Sequence, residues 1–208
     1  MQRTFTNTTA TSVNKNKRYQ HVLKIITGTA KGKILKTLEG EATRPTSERI
    51  KEAVFSSIQF DIENRRTLDL FAGCGQLGLE ALSRGAESCM FIDSSREAMD
   101  IVKANVKATG FDGKCKYLVS DARNYIRKAS GRDRFDLVFI DPPYAMKCCA
   151  DAVLRLKDSG LLLSGAILVI ESGEEQVAFT GEDFSSFEVI KSTSYGKKTA
   201  VNILLYRG

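Results

Sequence analysis

The residues best suited to chemistry in this chain are Asp141-Pro142-Pro143-Tyr144, which close the apolar run Phe135-Asp136-Leu137-Val138-Phe139-Ile140. Two consecutive prolines lack N–H groups and fix their own backbone angles, so neither strand nor helix continues through them. What remains is a carboxylate, carbonyls held in a stiff turn and an aromatic ring: acceptors for an N–H donor and a face for a flat group. A second set lies upstream. Gly73-Cys74-Gly75-Gln76-Leu77-Gly78 has the spacing of a G-x-G-x-x-G turn between strand and helix. Glycines there let a ligand approach the backbone, and the helix start favours polar or anionic groups. Asp69 is expected inside an apolar strand two residues from its end, a costly place for a carboxylate unless donors are close. Asp93, eighteen residues beyond Gly75, is placed to hold a ribose diol. This spacing serves NAD enzymes and S-adenosylmethionine enzymes alike.

Such residues need elements that bring them to one place. Short apolar runs at 67–72, 88–92, 116–119, 135–140 and 166–170 read as buried strands, separated by helical periodicity at 79–83, 95–109, 122–129 and 149–156. Alternating strand and helix builds a parallel sheet, in which all strands point one way. Asp93, Asp121 and Asp141 end three successive strands and therefore share one rim, where open α/β sheets bind ligands. Runs at 187–190 and 200–206, joined by a loop with Tyr195-Gly196 and no helix, read as an antiparallel hairpin. Near the start, 22–26 and 33–36 flank a glycine-containing turn and predict a small β-hairpin carrying Lys24, Lys31 and Lys33. Arg44-Pro45-Thr46-Ser47-Glu48-Arg49 then opens a helix, with Thr46 as its cap and Arg44 and Arg49 at its leading end.

Charge is unevenly spread over the 208 residues. Residues 1–51 hold eleven Lys/Arg against three acids, a balance of +8 within a total of +6, so the rest carries −2. A basic leading segment on a near-neutral body is the footprint of a polyanionic partner, nucleic acid being the commonest. No run is long enough for a membrane span or a secretory signal, and a cytoplasmic protein is expected. Five cysteines without a C-x-x-C pair, and a single histidine, His21, support neither a disulfide framework nor a metal site. Residues 1–20, rich in Thr, Asn and Lys, are expected to form a disordered extension.

These motifs together resemble the class I S-adenosylmethionine-dependent methyltransferases, and specifically the RsmD-type family of bacterial 16S ribosomal RNA guanine-N2 methyltransferases. The resemblance runs from Leu23 to Tyr206. It is carried by Lys31-Gly32-Lys33, Arg44-Pro45-Thr46, Asp69-Leu70-Phe71-Ala72-Gly73-Cys74-Gly75, the run Leu77 to Ala86, Asp141-Pro142-Pro143-Tyr144 and Tyr195-Gly196. Departures are residues 1–20 and, where small residues are typical, Cys74 and Gln76.

The resemblance implies a Rossmann-like α/β fold: a mostly parallel seven-stranded sheet, helices on both faces and a C-terminal antiparallel hairpin over 46–208, preceded by a basic β-hairpin and linker over 21–45. It implies that Asp69, Gly73 and Gly75 cradle the methionine part of S-adenosylmethionine, Asp93 the ribose, and Asp121 with Ala122 the adenine. Asp141, Pro142, Pro143 and Tyr144 would receive the base, and Lys24, Lys31, Lys33, Arg44, Thr46 and Arg49, with Lys197 and Lys198, would grip the RNA. The expected partner is 16S ribosomal RNA, free or in a partly assembled 30S subunit, with the protein acting as a monomer without metal. Alternatives are an amino-group methyltransferase on DNA adenine or another RNA, and a non-catalytic RNA-binding assembly factor. An NAD oxidoreductase would leave Asp-Pro-Pro-Tyr without a purpose. Cytosine carbon-5 methylation needs a nucleophilic cysteine, commonly after proline, and no cysteine here follows proline.

Overall fold

Seven apolar runs become seven strands of one sheet, in the order β3-β2-β1-β4-β5-β7-β6. These are β1 (Arg66–Asp69), β2 (Ser88–Asp93), β3 (Cys115–Val119), β4 (Phe135–Ile140), β5 (Leu162–Ser172), β6 (Phe187–Tyr195) and β7 (Thr199–Tyr206). The structure, a computed structural model, describes residues 22–38, 45–129, 133–143, 146–173, 178–196 and 199–208, with no side chains for 45–47. The expected extension at 1–20, His21, Arg44, Tyr144, Lys197, Lys198 and the side chain of Thr46 lie outside the described residues.

Strands β1 to β5 pair in parallel, while β7 runs antiparallel to both β5 and β6. The strand order turns outward in both directions from β1 and β4, the switch point at which such sheets open a crevice at their carboxyl ends. Both faces of the sheet are covered, which is why β4 is a nearly continuous apolar run. Leu137 and Phe139 pack with α1 (Pro45–Ser57), α2 (Gln76–Ser83) and α3 (Arg96–Thr109). Val138 and Ile140 pack on the other face with α4 (Ala122–Ala129) and α5 (Cys149–Asp158).

Several boundaries differ from the periodicity, and β6 runs on to Tyr195, a residue expected in the loop after residue 190. β1 stops at Asp69 rather than at residue 72, because the chain turns off there into the glycine loop. α2 begins at Gln76, three residues before residue 79, and α1 begins at Pro45, so proline takes the first helical position ahead of the expected Thr46 cap. β5 extends well beyond 166–170, and its pairing with β4 shifts register between Phe135 and Leu137, beside Gly165 at φ +80°.

The N-terminal hairpin is reduced to one antiparallel bridge, Lys24 with Ile34. Ile25 N–H still donates across it to Lys33 O at 3.0 Å and Leu35 N–H to Leu23 O at 2.9 Å, while donors of its turn go to side chains of α2. Glu80 accepts from the N–H groups of Ile26 at 2.8 Å and Thr27 at 3.0 Å, and Ser83 Oγ accepts from Ala30 at 2.9 Å. The loop turns Leu23, Ile25, Ala30 and Leu35 into the core while Lys24, Lys31 and Lys33 remain exposed.

Candidate active site

The glycine loop leaves β1 between its two neighbours and is tied to both. Leu70 N–H donates to Phe139 O on β4 at 3.1 Å, and Ala72 N–H to Ile92 O on β2 at 2.9 Å. The three glycines then do different things. Gly73, at φ +53°, lines the cavity with open space where a Cβ would stand. Gly75, at φ +81°, caps the start of α2, and a Cβ there would press on Phe91 and Val102 at 3.3–3.4 Å. Gly78 lets α2 lie against β2, since a Cβ would come within 2.6 Å of Phe91 and Cys89 side-chain atoms. Gly73 is thus the glycine that faces the site, and Gly75 supports the turn from behind it.

The cavity opened at the switch point has a volume of ≈ 520 Å³, within the range of small-molecule sites. Asp69, Gly73, Asp93, Asp121, Ala122, Asp141, Pro142 and Pro143 all line it. Asp141-Pro142-Pro143 after β4 and the glycine loop after β1 therefore share one cavity.

Its carboxylates differ in their surroundings. Asp69 is buried, and Oδ2 accepts one hydrogen bond, from Gly78 N–H at 3.0 Å. Burial drives its pKa up to about 7, aided by the charge of Asp93 and opposed by the Gly78 N–H. Asp93 accepts from Gly73 N–H through Oδ2 and from Ser95 N–H through Oδ1, both at 2.8 Å, so one side chain ties the glycine loop to the start of α3. Exposed Asp121 caps α4, its Oδ1 accepting from Asn124 N–H at 3.2 Å. Asp141 is half-buried, Pro142 buried and Pro143 exposed. The chain turns back after them through Met146 N–H to Pro143 O at 2.8 Å.

Further polar lining residues, none of them expected as a site residue from the sequence, include Lys51, Gln76 and Glu171. Lys51 is buried, donates through Nζ to Lys24 O at 2.9 Å and stands 4.0 Å from Glu80. Burial lowers its pKa, with Glu80 acting the other way. Its signal was its place beside Ile50 and one turn before Val54, which puts it on the inward face of α1. One of the leading segment's cations is thus a core residue joining the N-terminal loop to the cavity wall. Arg49, next to it, is exposed. Among the described residues no cluster of three or more His, Cys, Asp or Glu is placed to hold a metal ion, and no helix is long and apolar enough to cross a membrane.

A family model described as "Conserved hypothetical protein 95" matches residues 23–204. The Bacillus subtilis protein YlbH is 34% identical over 187 residues, which cover 89% of this chain and 100% of that one. Ribosomal RNA small subunit methyltransferase D of Escherichia coli K12 is 32% identical over 153 residues, covering 74% of this chain and 76% of its own. The solved structure of yhhF from Escherichia coli superposes with a TM-score of 0.78 at 29% identity, over 89% of this chain and 98% of that chain. Spanning both the glycine loop and the Asp-Pro-Pro turn, this match agrees with the strand order and the shared cavity: the chain belongs to the RsmD-type family of class I S-adenosylmethionine-dependent methyltransferases.

Proposed function

We propose that this protein methylates the exocyclic N2 amino group of a guanine in small-subunit (16S) ribosomal RNA. The observation that carries the reading is that Asp141-Pro142-Pro143 and the Gly73 loop face one cavity. Relatives named ribosomal RNA small subunit methyltransferase D supply the nucleic-acid class.

The residues present fit S-adenosylmethionine. Gly73 leaves open space where a side chain would intrude, and carboxylates stand at the ends of β1 and β2 and just beyond β3. Asp69 and Gly73 would hold the methionine part, Asp93 the ribose hydroxyls, and Asp121 with Ala122 the adenine, with Gly75 shaping the turn behind them. Bound there, the cofactor supplies an electrophilic methyl group on a sulfonium.

The chain's own contribution is alignment. The guanine amine is a poor nucleophile because its lone pair is conjugated into the ring. Acceptance of its two N–H bonds by the Asp141 carboxylate and the Pro142 carbonyl lets the nitrogen pyramidalise and frees that lone pair. Tyr144 stacks on the base, and Pro143 keeps the turn rigid. Orientation of this kind accounts for roughly 7–11 kcal/mol of barrier lowering, so no strong base is needed: as the N–C bond forms and the S–C bond breaks, the amine would become cationic and then lose a proton to solvent. A guanine within a helix must be turned out to reach the cavity. Lys24, Lys31, Lys33, Arg44, Thr46 and Arg49 hold the backbone around it.

Mass-spectrometric mapping of N2-methylguanine in 16S ribosomal RNA from cells with and without the protein tests this reading. One guanine should lose its methyl group in the deletion and regain it on complementation. An unchanged map would refute the assignment.

A further inference from the structure

The cavity wall holds a carboxylate that has no role in the reading above, Glu171. It stands near the end of β5, where pairing with Val201 of β7 fixes its backbone. Val169 and Glu171 line the cavity, whereas Ile170 between them belongs to the core on the opposite face. Strand alternation thus turns the Glu171 side chain to the cavity's face of the sheet. It is half-buried there, so a ligand in the cavity has access to it.

Strand order says which ligand it meets. Across the sheet, the carboxylates assigned to the cofactor come from the ends of β3, β2 and β1, the acceptor turn follows β4, and β5 lies next, on the side away from the cofactor strands. Ile140 of β4 pairs in parallel with Ile170 of β5. Asp141 and Glu171 are the residues that follow this pair, on strands about 4.8 Å apart. Two carboxylates so placed disfavour a ligand that brings lone pairs and favour one that brings N–H donors to both. The pairing edges of the bases differ in this respect. Guanine sets N1–H directly beside its N2 amine, three N–H bonds in a row, whereas adenine and cytosine set an acceptor nitrogen beside theirs.

We propose that Glu171 is a specificity-determining residue whose carboxylate accepts the N1–H of the target guanine, beside Asp141 on the amine. This rests on the guanine-N2 reading above. Asp141 and Pro142 take the two amine hydrogens, and Glu171 takes the hydrogen of the neighbouring ring nitrogen. An adenine or cytosine turned into the same cavity would set its ring lone pair against the Glu171 carboxylate.

The test uses 2-aminopurine, which keeps the N2 amine but has a lone pair in place of N1–H. Single-turnover methyl transfer is measured for wild type, Glu171→Gln and Glu171→Ala on 16S ribosomal RNA carrying guanine or 2-aminopurine at the position mapped above, free and reconstituted into small-subunit particles. Titration calorimetry with S-adenosylhomocysteine accompanies it. Wild type should prefer guanine by about tenfold or more. Each variant should lose about tenfold on guanine, keep S-adenosylhomocysteine affinity within about twofold, and show a guanine preference reduced by about tenfold. Glu171→Gln should also gain on 2-aminopurine, because its amide N–H can donate to N1. A wild type without preference, unchanged transfer to guanine in the variants, equal loss on both RNAs, or a parallel loss of cofactor affinity would overturn the assignment. Wild type that methylates neither RNA would instead refute the guanine-N2 reading on which it rests.

Discussion

Asp69 shows how a single side chain can be held in tension by its surroundings. An ordinary aspartate has lost its proton well below neutrality, but burial raises this one from 3.8 to about 7. The folded chain therefore keeps a proton that the unfolded chain releases, and stability is greatest below the unfolded value and falls as pH rises through the folded one. The shift corresponds to a loss on the order of 4 kcal/mol across that window. Urea unfolding at pH 5 and pH 8 spans the upper part of that window and should show roughly 2–3 kcal/mol of it, and Asp69→Asn should flatten the difference; an equal pH dependence in both proteins would contradict it. A cation from the cofactor favours the ionised form, so S-adenosylhomocysteine should bind more tightly at pH 8 than at pH 6. Two other carboxylates separate binding from transfer. Asp141→Ala is expected to lower single-turnover methyl transfer by about 100-fold or more while leaving cofactor affinity intact. Asp93→Ala removes both the proposed ribose acceptor and the partner of Gly73 N–H, and should weaken S-adenosylhomocysteine by about tenfold or more in titration calorimetry.

At the level of elements, the joint between the N-terminal loop and α2 is the least ordinary feature. Glu80 is fully buried, yet it accepts from Ile26 and Thr27 N–H groups and from Arg84 Nε at 2.9 Å, with Lys51 at 4.0 Å. A buried carboxylate with that many donors is compensated, but removing it strands a buried lysine. Glu80→Ala should cost about 3–5 kcal/mol in urea unfolding. Gly28 sits where the loop meets the end of α2. Its φ is +87°, and a Cβ would lie 1.7 Å from Ser83 O. Gly28→Ala must lift the loop away, costing about 2 kcal/mol or more and making residues 22–38 an early site of limited proteolysis. Wild-type stability and digestion would show that the close approach can relax. Because Lys51 belongs to both the joint and the cavity wall, either change should also reduce cofactor affinity.

Over the whole molecule, charge and shape act together. Exposed Lys24, Lys31, Lys33 and Arg49 stand on the N-terminal loop and α1, while residues of α1 itself (Ile50, Lys51 and Val54) line the cavity. Replacing the three lysines by alanine should weaken RNA binding and reduce the slope of log affinity against log salt by about one unit for each phosphate no longer neutralised. A filter-binding salt series measures this, and an unchanged slope would make these lysines solvent-facing only. The sheet, its parallel half, the C-terminal hairpin and the acidic rim were legible in the sequence, because strand burial and strand direction follow from local apolar runs and from the helices between them. Asp93, Asp121 and Asp141 are local signals too, each next to a strand end. What needed the tertiary structure were the decisions made between distant segments. The expected hairpin keeps a single bridge, and α2 side chains, more than fifty residues away, take the N–H groups of Ile26, Thr27 and Ala30 in its turn. Lys51, counted with the basic residues of the leading segment, is a core residue, and although its place beside Ile50 points inward, nothing in its own stretch announces the Lys24 carbonyl or Glu80 as its partners. Gly73 and Gly75, alike in the motif, were told apart by Phe91 and Val102 packing behind one of them. Residue type and spacing thus determined the chemistry available and the rim where it gathers, while only the packing of separate elements decided which groups face the cavity, because burial and partner choice are properties of the assembled chain.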